Sequence, residues 1–123
     1  MPKRKVKLGS FNVNGLRAID KKGLLMKYIR EEEVDILVLN ETKIDGAALK
    51  ESGVLDKYRE VLPYIFYSCC KPPLKGYSGV AVLSRFPPKA FRLDLEGHEE
   101  EGRLVMLEFE AFRVVGTYVP NSQ

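Results

Sequence analysis

A chain of 123 residues is one small domain or part of a larger one. Its 45% hydrophobic and 30% charged residues fit a folded chain rather than a disordered one, and no apolar run reaches the roughly 18 residues of a membrane span, so no membrane partner is expected. The net charge of +3 hides an asymmetry: residues 1–30 carry nine Lys/Arg against Asp20 alone, a local +8 that leaves −5 for the remainder. A basic end facing an acidic remainder suits a polyanion partner beside a metal-binding carboxylate, although a solvated basic helix face gives the same count.

The basic start MPKRKVK is not followed by the apolar stretch of a secretory signal. Cys69 and Cys70 are the only cysteines. Adjacent cysteines neither staple distant elements nor make a metal tetrad, so they read as strand packing in a reducing compartment. The chain therefore reads as intracellular: nuclear in a eukaryote, cytoplasmic in a prokaryote.

In chain order, Val6–Phe11 reads as a strand ending in the polar turn NVNG. Leu16, Ile19, Leu24, Leu25, Tyr28 and Ile29 recur at helical spacing and predict a helix over 16–33, with Gly23 as its weak point. Asp35–Asn40 is a second strand, apolar on both faces, and 47–58 a short helix. A strand, a helix and a strand in this order favour an α/β fold. Five further strands follow at 64–70, 78–85, 89–95, 103–109 and 112–119, separated by turn residues and by an acidic loop over 96–102 that holds His98, the only histidine. In the last two strands both faces are apolar. The early helices can cover one side, and the other calls for a second sheet not apparent in this chain, which implies half of a sandwich or one partner of an association.

The stretch LVLNETK, residues 37–43, places a carboxylate and an ammonium at the end of a buried strand. A glutamate there is most often merely solvated. Asn12 and Asn14, however, sit two apart at the end of the first strand, and Tyr118 and Asn121 bracket the end of the last. The carboxyl ends of strands in open α/β sheets are where ligand crevices form. If those strands are neighbours, two amides, a carboxylate and a phenol share one rim. Such a set can bind a hard divalent cation through Glu41 and hydrogen-bond phosphate oxygens.

The strings SFNVNGLRA (10–18), LVLNETKI (37–44), GYSGVAVLSR (76–85), EGRLVMLEF (101–109) and TYVPNSQ (117–123) occur in this order. Together they strongly resemble the exonuclease III family of apurinic/apyrimidinic endonucleases, within the wider endonuclease/exonuclease/phosphatase superfamily. The resemblance runs from about Lys5 to the last residue, and residues 1–123 correspond to the N-terminal half of the family's single domain, with the C-terminal half absent. It implies a fold of the DNase I-like type: half of a four-layer α/β sandwich, one mixed sheet with helices on its outer face. It implies Mg2+ as cofactor, with Mn2+ as an alternative, and double-stranded DNA with abasic sites as substrate, cleaved 5′ to the lesion, together with 3′-exonuclease and 3′-phosphatase activity.

Residue by residue, Glu41 matches the family's metal-binding glutamate, with Lys43 close to the metal region. Asn12 matches its active-site asparagine and Tyr118 the tyrosine that holds the scissile phosphate. Asn14 falls where the family has Asp or Asn, a second metal position that here brings no charge. Arg17, Lys22, Gly76, Tyr77, Arg103 and Asn121 match positions near the DNA backbone. Asn40 replaces the usual Gln, leaving a shorter amide beside the metal ligand, and Gln123 stands where Gly is common. The family's water-activating Asp with its Asn, a further metal-region Asp and a closing Asp–His pair have no counterpart here. His98 is far from that last position and reads as a solvated loop residue. The chain alone is therefore expected to be inactive. Two alternatives stand beside the enzyme reading: a non-catalytic DNA-binding module, and a half-domain that docks onto a second half or a second chain covering an exposed sheet face.

Overall fold

β1 (Leu8–Asn12) and β2 (Ile36–Asn40) pair in parallel, with Asn12 opposite Asn40. A parallel pair needs a crossover, and the helical segment between the strands supplies it. The structure is a computed structural model that describes residues 5–71, 78–94, 97 and 101–119. Within it the helix expected over 16–33 is two: α1 (Leu16–Lys21) and α2 (Leu24–Glu32). The break falls at Gly23, whose φ of 70° is left-handed and whose N–H donates to the Asp20 carbonyl at 3.0 Å. Only glycine takes that conformation without a Cβ penalty.

The helix expected over 47–58 also divides. In α3 (Gly46–Ser52) the Asp45 carboxylate caps the first turn, accepting from the Ala48 N–H at 2.9 Å. Gly53 ends it, and a 3-10 turn follows over Asp56–Glu60. The buried Tyr58 of this turn donates its hydroxyl proton to Asp20 at 2.6 Å, and Lys57 meets the same carboxylate at 2.9 Å. Burial above all, then the hydrogen bond and charge of Asp20, hold the Tyr58 hydroxyl well above its ordinary titration range.

β3 (Tyr64–Ser68) and β4 (Val80–Ser84) complete a four-stranded mixed sheet in the order β1-β2-β4-β3. Period-two geometry sorts its side chains. Leu37, Leu39, Ala81 and Leu83 face the helices and pack with Leu16, Leu25, Ile29 and Tyr58. Ile36, Val38, Val80 and Val82 face the other way. At the far end the fully buried Asp35 accepts from the Lys7 N–H at 2.9 Å and from Arg85 Nε at 3.1 Å, tying the starts of β1 and β2 to the end of β4.

The remaining strands do not extend this sheet. The β4 ladder stops at Ser84, the chain bends at Arg85 and Phe86, and Pro87 and Pro88, which lack N–H donors, follow. β5 (Ala90–Arg92, shorter than the expected 89–95), β6 (Leu104–Glu108) and β7 (Arg113–Thr117) form a separate antiparallel sheet in chain order. Its Val105, Leu107, Phe109 and Val114 close a second core against Ile36, Val38, Val80 and Val82. The mixed sheet with helices on its outer face is as expected. The cover for its inner face, expected to lie outside the chain, is this second sheet. The helices do not reach the late strands, whose own outer face stays open, with Val115 55% exposed. The layers are thus helices, four-stranded sheet and three-stranded sheet. No helix among the described residues is long and apolar enough to cross a membrane.

Candidate active site

β1 and β2 run parallel, so their carboxyl ends emerge on the same rim, and the polar residues that follow them meet there. Asn12 Nδ2 donates to Glu41 Oε2 at 2.5 Å, and Asn12 Oδ1 accepts from the Asn14 N–H at 3.0 Å. Lys43 Nζ donates to Asn14 Oδ1 at 2.6 Å and lies 3.8 Å from Glu41 Oε1. The four side chains form one connected group, open to solvent but anchored from below.

The anchoring is backbone work. Val13, Gly15 and Leu16 donate in turn to the carbonyls of Asn40, Glu41 and Thr42, at 2.8–2.9 Å. On the other side Thr42 and Lys43 donate to Gly79 and Ser78, at 3.2 and 2.9 Å. Held between these neighbours, Glu41 and Lys43 adopt left-handed φ values of 56° and 52°, and Asn14 and Ser78 do the same at 46° and 53°. Four of the five non-glycine residues with positive φ among those described thus cluster at this rim, where conformational cost is tolerated because the surroundings dictate the backbone. Thr42 is buried beneath Glu41, and a Cβ at Gly79 would lie 2.0 Å from its Oγ1.

The second sheet reaches the same rim. The Asn40 side-chain amide donates to the Thr117 carbonyl at the end of β7, and the next residue, Tyr118, donates its N–H to the Arg103 carbonyl at 2.8 Å. Tyr118 packs partly against the core between the sheets. Asn12, Asn14, Glu41 and Tyr118 therefore all stand on strand ends that are hydrogen-bonded to one another.

The other expected residues divide. Arg17 and Lys22 are exposed on and just after α1, the helix that follows the Asn12–Gly15 loop. Arg103 is largely buried, and its guanidinium pairs with Glu101 at 2.8 Å. Gly76, Tyr77 and Asn121 lie outside the described residues, as do His98 and Gln123. The Cys69 thiol is pushed up to about 12 by burial, with Cys70 and Asp45 adding to the effect, which leaves it no nucleophile at neutral pH. Among the described residues no group of three or more His, Cys, Asp or Glu comes together to hold a metal. The rim offers one carboxylate with neutral oxygen donors. That set suits a hard cation that keeps waters and takes its other ligands from substrate phosphate. The Asn14 oxygen is engaged by the Lys43 ammonium, which leaves Glu41 as the principal donor.

Residues 9–121 match the model of the Endonuclease/Exonuclease/phosphatase family. The chain belongs to that family. Family membership rests on nearly the whole chain, and the rim just described lies within the matched region. The chain is 40% identical over 120 residues to an exodeoxyribonuclease of Bacillus subtilis (strain 168), covering 96% of this chain and 44% of that protein. It is 33% identical over 119 residues to a DNA-(apurinic or apyrimidinic site) endonuclease of Dictyostelium discoideum, covering 95% of this chain and 31% of that one. Among solved structures, an AP endonuclease from Archaeoglobus fulgidus superposes with a TM-score of 0.68 at 30% identity, over 94% of this chain and 42% of that chain. The chain thus spans less than half the length of these relatives, and its layers are those of a DNase I-like fold.

Proposed function

We propose that this chain supplies the metal-binding and phosphate-binding half of a DNA repair phosphodiesterase, one that hydrolyses the backbone 5′ to abasic sites. The observation that carries the reading is the Asn12–Glu41 hydrogen bond at a rim to which β7 also brings Tyr118. A divalent cation, Mg2+ or Mn2+, held by Glu41 would stabilise the negative charge that develops on the phosphate as water attacks and a P–O bond breaks. The Asn12 amide orients the Glu41 carboxylate. The Tyr118 hydroxyl is suited to donate to a phosphate oxygen, and exposed Arg17 and Lys22 beside the rim provide cationic contacts to flanking phosphates. None of these groups is suited to take the proton from water or return one to the leaving oxygen, so that task falls to polypeptide outside this chain.

A groove of about 1040 Å³ favours the same division of labour. It opens between the unpaired edges of β1 and β7 and is lined by Leu8, Val38, Phe86, Phe112 and Val115, an apolar surface suited to the other half of the domain. On the half-domain reading, this groove at the open side of the sandwich is the surface we assign to docking.

The test is a chimera: this chain fused in frame to the portion of the Bacillus subtilis exodeoxyribonuclease that follows the matched region. Incision of a duplex carrying one abasic site is expected from the chimera with Mg2+ and not from the 123-residue chain. Incision by the chain alone would refute the half-site reading. A chimera that melts cooperatively yet leaves the duplex intact would refute the enzyme reading and leave the DNA-binding one, whose mark is an affinity that falls steeply with salt.

A further inference from the structure

Asn40 belongs neither to the cation donors nor to the phosphate contacts, yet it touches the support of all of them. Its backbone carbonyl accepts from the Val13 N–H at 2.9 Å, between Asn12 and Asn14. Its peptide bond leads directly into Glu41. Its side-chain amide crosses from the first sheet to the second and donates to the Thr117 carbonyl, one residue before Tyr118. The crossing is short because β7 approaches closely at Gly116, where a Cβ would lie 2.9 Å from methyl groups of both Val38 and Val80. Any side chain at 116 would lift this end of β7 off the first sheet and out of reach of the Asn40 amide.

We propose that Asn40 is a positioning residue, whose side-chain amide sets the placement of Tyr118 relative to Glu41 by tying the end of β7 to the end of β2. The assignment of tasks to Tyr118 and Glu41 rests on the function proposed above; the tie itself does not. A donor is required at position 40. A carboxylate of the same shape cannot donate and would face the Thr117 carbonyl with a like partial charge. A glutamine keeps the donor on a longer arm.

Amide hydrogen exchange and tyrosine ring resonances of the metal-free 123-residue chain test the tie without invoking activity. In Asn40→Asp the Tyr118 N–H is expected to exchange about tenfold faster, the effect of losing one locally stabilising hydrogen bond, and its ring signal to shift. The amides of Leu37 and Leu83, in the middle of β2 and β4, should keep their protection. Asn40→Gln should restore most of the Tyr118 protection. Gly116→Ala, which leaves residue 40 untouched, should speed exchange at both the Tyr118 N–H and the Asn40 side-chain amide. Unchanged Tyr118 exchange in Asn40→Asp overturns the proposal. Loss of protection at Leu37 and Leu83 as well would also overturn it, because Asn40 would then hold the fold as a whole. Each outcome is independent of whether the chain binds a cation, so failure of the tie and failure of the proposed function are separately visible.

Discussion

Thr42 shows how the rim is organised at the level of single residues. Its hydroxyl is buried without a hydrogen-bond partner among the described residues, while its backbone N–H and carbonyl both pair across the loops. A buried hydroxyl left unpaired costs free energy that an isosteric methyl does not. Thr42→Val is therefore expected to stabilise the chain by about 1 kcal/mol in urea unfolding. A loss of stability would mean that the hydroxyl has a partner in solution. At the same scale the sequence was legible where chemistry and position coincide. Glu41 comes one residue after the apolar run Ile36–Leu39, and the Asn12–Asn14 spacing falls at another strand end. The engagement of Asn14 by Lys43 was not legible, because it depends on left-handed turns at residues 14, 41 and 43 that spacing does not encode. Nor was the pairing of Arg103 with Glu101.

The elements themselves were legible from periodicity, and the boundaries failed at glycine. The segments 16–33 and 47–58 carry helical patterns, but Gly23 and Gly53 take left-handed backbone and divide them. Glycine also governs how the loops stack. A Cβ at Gly102 would lie 2.6 Å from backbone atoms of both Cys69 and Cys70, and its φ is 63°. The Gly102 carbonyl accepts from the Gly79 N–H at 3.0 Å, and Gly79 in turn supports Thr42. Backbone cannot yield as a flexible side chain can, so Gly102→Ala should cost roughly 2–4 kcal/mol, combining overpacking with left-handed strain. Gly97, at φ 84° with no atom of the described residues within 4 Å of where a Cβ would stand, provides the control: Gly97→Ala should cost only about 1 kcal/mol. Equal losses in chemical denaturation would show that the Cys69–Cys70 contact is not what demands glycine at 102.

At the scale of the molecule, the helices expected to cover one face of the late strands do not: the four-stranded sheet covers that face, and the other face is left open, with Val115 exposed. Nothing in a period-two pattern tells whether successive strands extend one sheet or fold over as a second. Here the β4 ladder stops at Ser84 and Gly116 permits close approach, and β5–β7 stack on the inner face. That stacking carries Tyr118 to the rim where Asn12 and Glu41 already meet. The groove beside β1 and β7 and the outer face of β7 are apolar and exposed. The arrangement makes Glu41 the centre of the rim, with a cation as its expected guest. The most direct measurement is a Mn2+ titration of the isotope-labelled chain followed by NMR, in the parent and in Glu41→Gln. Paramagnetic broadening is predicted to begin at Asn12 and Glu41 in the parent and to disappear from both in the variant. Broadening that begins elsewhere, or that persists unchanged at Asn12 in Glu41→Gln, would contradict the account.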